Sequence, residues 1–267
     1  MIVKNYLTKK RVLVLQFKKH DNAPGNEWVR NFLSRHKELS FRFAANIKVS
    51  RASVTPEMLS DYIDNLRVEL EGVPPENIWN FDESNLTDDP GRKRVLVKRG
   101  MKYPELIKNF SKSSISLTFC GNATGDLLPP IVVYKSNCMW DKWKEGGRPN
   151  IRYSNTLSGW FDSTTINEWF HSTLYLALKN LPEKKVIIGD NLSSHVSPSV
   201  VRCCVHNNIS FVFLPPNSTH LTQPLDVAFF APLKRAWRQI LDSWKETPAG
   251  RLATTLCKDE FPGLLSS

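Results

Sequence analysis

SISLTFCGNATGDLLPPIVVY, residues 114–134, carries apolar side chains on both sides of a segment rich in Gly, Asn and Asp. The pattern predicts a hairpin, with one strand around Ser114–Cys120, a turn through Gly121-Asn122 and Gly125-Asp126, and a second strand around Ile131–Tyr134. Upstream, IWNFDES (78–84) reads as a short, aromatic, buried strand with a charge inside it. Downstream, helical spacing near Thr164–Asn180 puts Ile166, Trp169, Phe170, Thr173, Leu174, Ala177 and Leu178 on one face. KKVIIGD (184–190) is a short buried strand ending in Asp190. Ser197-Pro198 caps a further helix that stops at Asn207-Asn208, and ISFVFLPP (209–216) is another buried strand. Pro224 opens a last helical stretch, interrupted at Pro232, whose second half aligns Leu233, Trp237, Ile240, Leu241 and Trp244.

The expected order is strand, strand, strand, helix, strand, helix, strand, helix. A hairpin-linked triplet followed by β-α-β units predicts an α/β fold, a mixed sheet flanked by helices. That is the element order of a ribonuclease-H-like fold, and other α/β folds share it. A small helical segment precedes the sheet. Val12 to Phe17 has the makings of a short strand in an otherwise irregular start. Trp28, Phe32, Leu33 and Leu39 give helical spacing over Glu27–Leu39, and Ser40 reads as the N-cap of a second short helix from Phe41. Two short helices in tandem suggest a partial helix-turn-helix. Thr55-Pro56-Glu57 begins a clearer helix with an apolar stripe of Met58, Leu59, Tyr62, Ile63, Leu66 and Leu70, ended by Gly72. The expected division is a basic helical segment (1–72), an α/β domain (76–247) and a C-terminal tail (248–267).

Charge separates the first segment from the rest. The 267 residues carry net +10. Residues 1–51 hold 12 basic against 3 acidic side chains, net +9, and residues 52–267 hold 24 against 23, net +1. A basic segment on a neutral body points to nucleic acid, although a solvated arm would look the same. Arg30, Arg35, Lys37 and Arg42 surround the two short helices, and Arg92, Lys93 and Arg94 open an acid-free basic run before the hairpin. These are the candidate DNA-binding residues, a guarded edge strand being the competing reading of the second group. No apolar run approaches the ~18 residues of a membrane span, so no membrane partner is expected. The five cysteines form no C-x-x-C pair, which argues against a zinc site or disulfide framework and favours a reducing compartment.

Three carboxylates stand where a charge needs a reason. Asp82 interrupts the apolar run Ile78–Phe81. Asp190 ends the run Val186–Ile188 after a single glycine. Asp226 follows the Pro-rich PPNSTHLTQPL (215–225). A buried, unpaired carboxylate is costly, and ligands collect at the carboxyl ends of parallel strands. Three acids meeting there would suit hard, oxygen-seeking cations. The chain has 13 Asp, however, and an Asp at a strand end is commonly a turn former or cap. Glu83 points to the opposite sheet face from Asp82. Asn191 and His195 could face a metal-bound phosphate or simply cap and sit at the surface. His220 and Gln223 have fixing the loop as their default role.

Taken together, IWNFDES, SLTFCGNATGDLLPPIVVYK, SGWFDSTTINEWF, VIIGDNLSSH and FLPPNSTHLTQPLDVAFFAPLK resemble the pogo/Tigger/Jerky group of DDE-type transposases. GNEWVRNFLSRHKELSFR resembles the end of a helix-turn-helix of the centromere-protein-B type. The resemblance runs from about Gly25 to Lys245, with the motifs in family order. It implies a ribonuclease-H-like catalytic domain with Asp82, Asp190 and Asp226 as catalytic and metal-binding acids. It implies two Mg²⁺ or Mn²⁺ ions and double-stranded DNA as partner, leaves room for a homo-oligomer, and puts the protein in the nucleus. Family enzymes hydrolyse DNA at transposon ends, and the released 3′-hydroxyl then attacks target DNA. Asn85 stands where the group usually carries Gly. A further helix-turn-helix typical of the family is not seen, so the alternative expectation is a domesticated, catalytically idle DNA-binding or chromatin protein.

Overall fold

A computed structural model describes residues 2–14, 17, 23–40, 51, 53–91, 99, 111, 113–190 and 197–267. The chain divides into two compact units, Met1–Lys48 and Val49–Ser267. In the first, α1 (Ile2–Lys9) is a helix where the sequence reads as irregular. Val12–Val14 form no strand, contrary to expectation. Helix α2 (Asn26–Arg35) is shorter than the 27–39 stretch that its spacing suggests. Trp28 stacks on Phe32 at 5.1 Å between ring centroids and meets Phe17 edge-on at 5.8 Å. Phe17 is buried, so this small unit rests on an aromatic cluster. The second helix expected from Phe41 lies outside the described residues.

The second unit begins with α3 (Pro56–Leu70), capped as its sequence predicts by Thr55, whose hydroxyl accepts from the Met58 amide at 3.3 Å. Gly72 leaves the helix at φ +70°, a left-handed backbone that only glycine adopts freely. Tyr62, Leu66 and Leu70 pack on Val186, Ile188, Val212 and Leu214. The helix therefore covers the sheet, and its apolar stripe makes it part of the larger unit.

Six strands follow: β1 (Ile78–Thr87), β2 (Ser114–Asn122), β3 (Ile131–Lys135), β4 (Arg152–Thr156), β5 (Lys185–Gly189) and β6 (Ile209–Phe213). They form one sheet in the order β4-β3-β2-β1-β5-β6. The β1-β2 and β2-β3 pairs are antiparallel, and β3-β4, β1-β5 and β5-β6 are parallel. This is the mixed sheet flanked by helices that the element order predicts. Strand β4 is an addition: RYSNT has no apolar alternation, and it lies at the edge, where β3 is its only partner among the described residues.

Alternation along β1 sorts its side chains between two layers. Trp79 and Phe81 face helices α4 (Ser163–Trp169) and α5 (Tyr175–Leu178), joined by a π-helical turn (Phe170–Leu174), and also α6 (Pro198–His206). The wide turn interrupts the single helix that the spacing predicts, and it lies just where the consecutive Trp169 and Phe170 are both buried. Leu86 faces the other layer, with Leu117, Phe119, Val132 and Tyr134. That layer is roofed from the C-terminal side. A short α7 (Thr219–Thr222) leads to a second π-helical turn (Leu225–Phe229) and then α8 (Phe230–Lys245). Pro232 sits in the first turn of α8 and does not break it; the irregularity is the π-helical turn before it. The segment read as a tail contains α9 (Pro248–Leu252) and α10 (Phe261–Ser266), and it buries Leu256 and Phe261 in this layer.

Candidate active site

The β1-β5 register places two of the three acids. Asn80 is paired with Ile188 across the parallel strands. Asp82 lies two residues further along β1, and Asp190 follows the last residue of β5, Gly189. Asp226 lies in the π-helical turn, whose Leu225 packs into the layer that holds Leu86 of β1. The three acids thus sit on three elements remote in sequence, with Asp226 close enough to feel the charge of Asp190 and to act on Asp82.

Electrostatics register this proximity. The carboxyl of Asp82 is pushed up to about 7. Burial is the main cause, and the charges of Asp226 and Glu83 add to it, while hydrogen bonds from the Glu83 amide (2.8 Å) and the Gln223 side chain oppose it. Asp226 is also raised, first by loss of solvent around its carboxyl and further by Asp190, against the pull of Lys234, Arg51 and His220. Asp226 therefore interacts with both other acids. Glu83 alternates onto the other sheet face, and its charge still disfavours ionisation of Asp82. Among the described residues, these three acids included, no group of three or more His, Cys, Asp or Glu side chains is placed to hold a metal ion.

A buried pair of amides that sequence reasoning did not single out as a pair ties these elements together. Asn80 Nδ2 donates to the Ile188 carbonyl (2.9 Å) and to Gln223 Oε1 (2.6 Å), and Asn80 Oδ1 accepts from the Leu225 amide (3.3 Å). Gln223 Nε2 donates to the Phe81 carbonyl (3.2 Å). An Asn inside an apolar strand was the available signal, since a buried amide needs partners.

Gly189, just before Asp190, stands where two aromatic rings leave no room for a side chain. A Cβ there would stand 2.9 Å from Phe81 Cε1 and 3.1 Å from Phe211 Cζ. Those rings already meet edge-on with centroids 6.0 Å apart. Gly189→Ala is expected to destabilise the fold by roughly 1–3 kcal/mol through overpacking. Urea unfolding measures this, and an unchanged midpoint would show that the rings yield freely.

The other expected contacts divide. Arg30, Arg35 and Lys37 are exposed on and just after α2. Arg42, Arg92, Lys93, Arg94, Asn191 and His195 lie outside the described residues. Lys234, near Asp226 and 5.6 Å from the Phe230 ring centroid, and Arg51 were not anticipated.

Comparison with known proteins agrees with this architecture. The mariner Mos1 transposase paired-end complex with the left transposon end has a TM-score of 0.58 at 14% identity, over 93% of this chain and 71% of that one. The mariner Mos1 paired-end complex with Mg gives 0.56 at 15% identity, over 98% and 72%. These likenesses establish a ribonuclease-H-like transposase fold. A curated relative, the MFS-type transporter clz9 of Cochliobolus lunatus, is 30% identical over 176 residues, or 63% of this chain. The chain spans only 19% of that relative's length. Among the described residues no helix is long and apolar enough to cross a membrane. The family model for the DDE superfamily endonuclease matches residues 112–249, just over half of the chain and inclusive of Asp190 and Asp226. With its six-stranded mixed sheet and with two of the three acids inside the matched stretch, the chain belongs to the DDE superfamily endonucleases.

Proposed function

We propose that this protein is a DDE-type transposase, or derives from one of the pogo/Tigger/Jerky kind, and that it cuts double-stranded DNA with the help of divalent cations. The observation that supports the reading is the interaction of Asp226 with both Asp82 and Asp190, acids carried by elements remote in sequence. The donor set fits Mg²⁺ or Mn²⁺: carboxylate oxygens are hard ligands, and burial together with mutual repulsion raises Asp82 and Asp226, a cost that bound cations would relieve. Asp82, Asp190 and Asp226 would hold them. Two bound cations stabilise the attacking and leaving oxygens of an in-line phosphoryl displacement.

The chain's own residues do the rest. Lys234 and Arg51 flank Asp226 with positive charge suited to the phosphates beside the scissile bond. Arg30, Arg35 and Lys37 serve as phosphate-backbone contacts of a centromere-protein-B-type DNA-binding segment, and the basic side chains of Arg42, Arg92, Lys93 and Arg94 are further candidate phosphate contacts. Hydrolysis forms a bond from a water oxygen to phosphorus and breaks the bond to the 3′ oxygen, leaving a 3′-hydroxyl and a 5′-phosphate. That hydroxyl is the nucleophile for strand transfer. Work on chromosomal DNA assigns the protein to the nucleus.

The test is nicking of supercoiled plasmid by the full chain in MgCl₂ or MnCl₂. Open circles are expected with wild type, and none with chelator or with Asp190→Asn. Equal background from wild type and variant rejects the enzymatic reading. The net +9 of residues 1–51 favours a second reading, an idle DNA-binding or chromatin protein. DNA binding that weakens steeply with salt, without nicking, is its signature.

A further inference from the structure

We infer that Asn80 and Gln223 are positioning residues that set the spacing of the three acids by clamping the elements that carry them. The inference rests on the metal-binding reading above. Asn80 precedes Asp82 by two residues, Ile188 precedes Asp190 by two, and Leu225 immediately precedes Asp226. A single pair of side chains bonds to the backbone at all of these points: Asn80 to Ile188 and Leu225, and Gln223 to Phe81. The 2.6 Å bond between the two amides closes the set. Asn80 is 8% exposed and Gln223 not at all.

Burying two amides among apolar strands contributes little net stability, because each bond replaces one made to water. What the pair adds is geometry. An amide has fixed donor and acceptor directions, whereas apolar packing tolerates small slips. Outer partners that orient the ligands of a metal act in this way. Asn77 supplies an internal comparison. It is also fully buried, and its Nδ2 ties the other end of the same two-strand region, bonding to the carbonyls of Pro182 (2.6 Å) and Lys184 (3.1 Å). No acid of the trio lies there.

The experiment measures Mn²⁺ binding by the full chain, titrating MnCl₂ and reading free ion by electron paramagnetic resonance, below the melting transition of each variant. Asn80→Leu and the milder Gln223→Met, which leaves Asn80 bonded to Ile188 and Leu225, are expected to weaken Mn²⁺ binding by about 10–100-fold. Asn77→Leu is expected to lower the melting temperature comparably while keeping Mn²⁺ affinity within about twofold of wild type. A loss of affinity in Asn77→Leu equal to that of the clamp variants would reduce the clamp to general stability and overturn the inference. Wild-type affinity in Gln223→Met would overturn it too. In both of those cases a wild type whose Mn²⁺ binding vanishes in Asp190→Asn leaves the proposed function standing. A wild type that binds no Mn²⁺ removes the metal reading and this inference with it.

Discussion

Asp82→Asn is expected to abolish divalent-dependent nicking and, in the same protein, to raise stability in chelator at pH 8. The first effect follows from losing one of three oxygen donors to the cations. A fall of about a thousandfold corresponds to roughly 4 kcal/mol of lost transition-state stabilisation. The second follows from the strain of a carboxylate that burial, Asp226 and Glu83 all push toward the protonated form, to about 7. In the unfolded chain this group loses its proton near pH 4. Between those values the folded protein binds more protons than the unfolded one, so this residue's contribution to stability declines as pH rises through the window. Above pH 7 the whole penalty is present, on the order of 2 kcal/mol once residual solvent contact is allowed for. The amide carries no such penalty. Chemical denaturation in chelator at pH 4.5 and pH 8 reads the difference: near-equal stability at the lower pH, and a more stable variant at the higher. A gap that does not change with pH would mean that Asp82 is not strained by its surroundings.

The features legible in the sequence were those written in side-chain pattern. The hairpin at 114–134, the strand before Asp190 and the Thr55 cap each rest on a local signal of a few residues, and each forms, the strand stopping at Gly189, one residue short of the reading. Asp82, Asp190 and Asp226 were legible as candidates because an apolar run with a charge in or after it is locally costly. What local pattern could not carry was partnership. Strand β4 is polar and exists because β3 offers it an edge. Asn80 inside an apolar strand signals that a partner is needed, but local pattern does not name it, because Gln223 is 143 residues away. The N-terminal helix Ile2–Lys9 is interspersed with lysines, which mask its periodicity. The C-terminal residues have a different difficulty: Phe261, Leu264 and Leu265 stand at i, i+3 and i+4, but Pro262-Gly263 between them reads as a break and hides the short helix.

Phe261 gives the sharpest test of the fold. Phe261 is wholly buried, with its ring centroid 5.3 Å from that of Trp237 and 6.1 Å from that of Tyr134, both near edge-to-face. Trp237 in turn donates to the Thr87 carbonyl at 2.8 Å, and Tyr134 donates to the Trp143 carbonyl at 3.1 Å. Phe261 thus wedges α8 against β1 and β3 from outside the stretch matched by the family model. Phe261→Ala removes that wedge and leaves a cavity too deep in the layer to close, at a cost of roughly 3–5 kcal/mol. In a unit of this size that lowers the melting temperature by about 10 °C. Leu252→Ala, on a side chain 85% exposed in the neighbouring helix, is expected to change stability by less than about 0.5 kcal/mol. Thermal melts of the two variants decide the matter. Equal melting temperatures would mean that residues 248–267 hang from the domain as an appendage. A large drop for Phe261→Ala alone makes the same residues a structural wall of the layer from which Asp226 is presented.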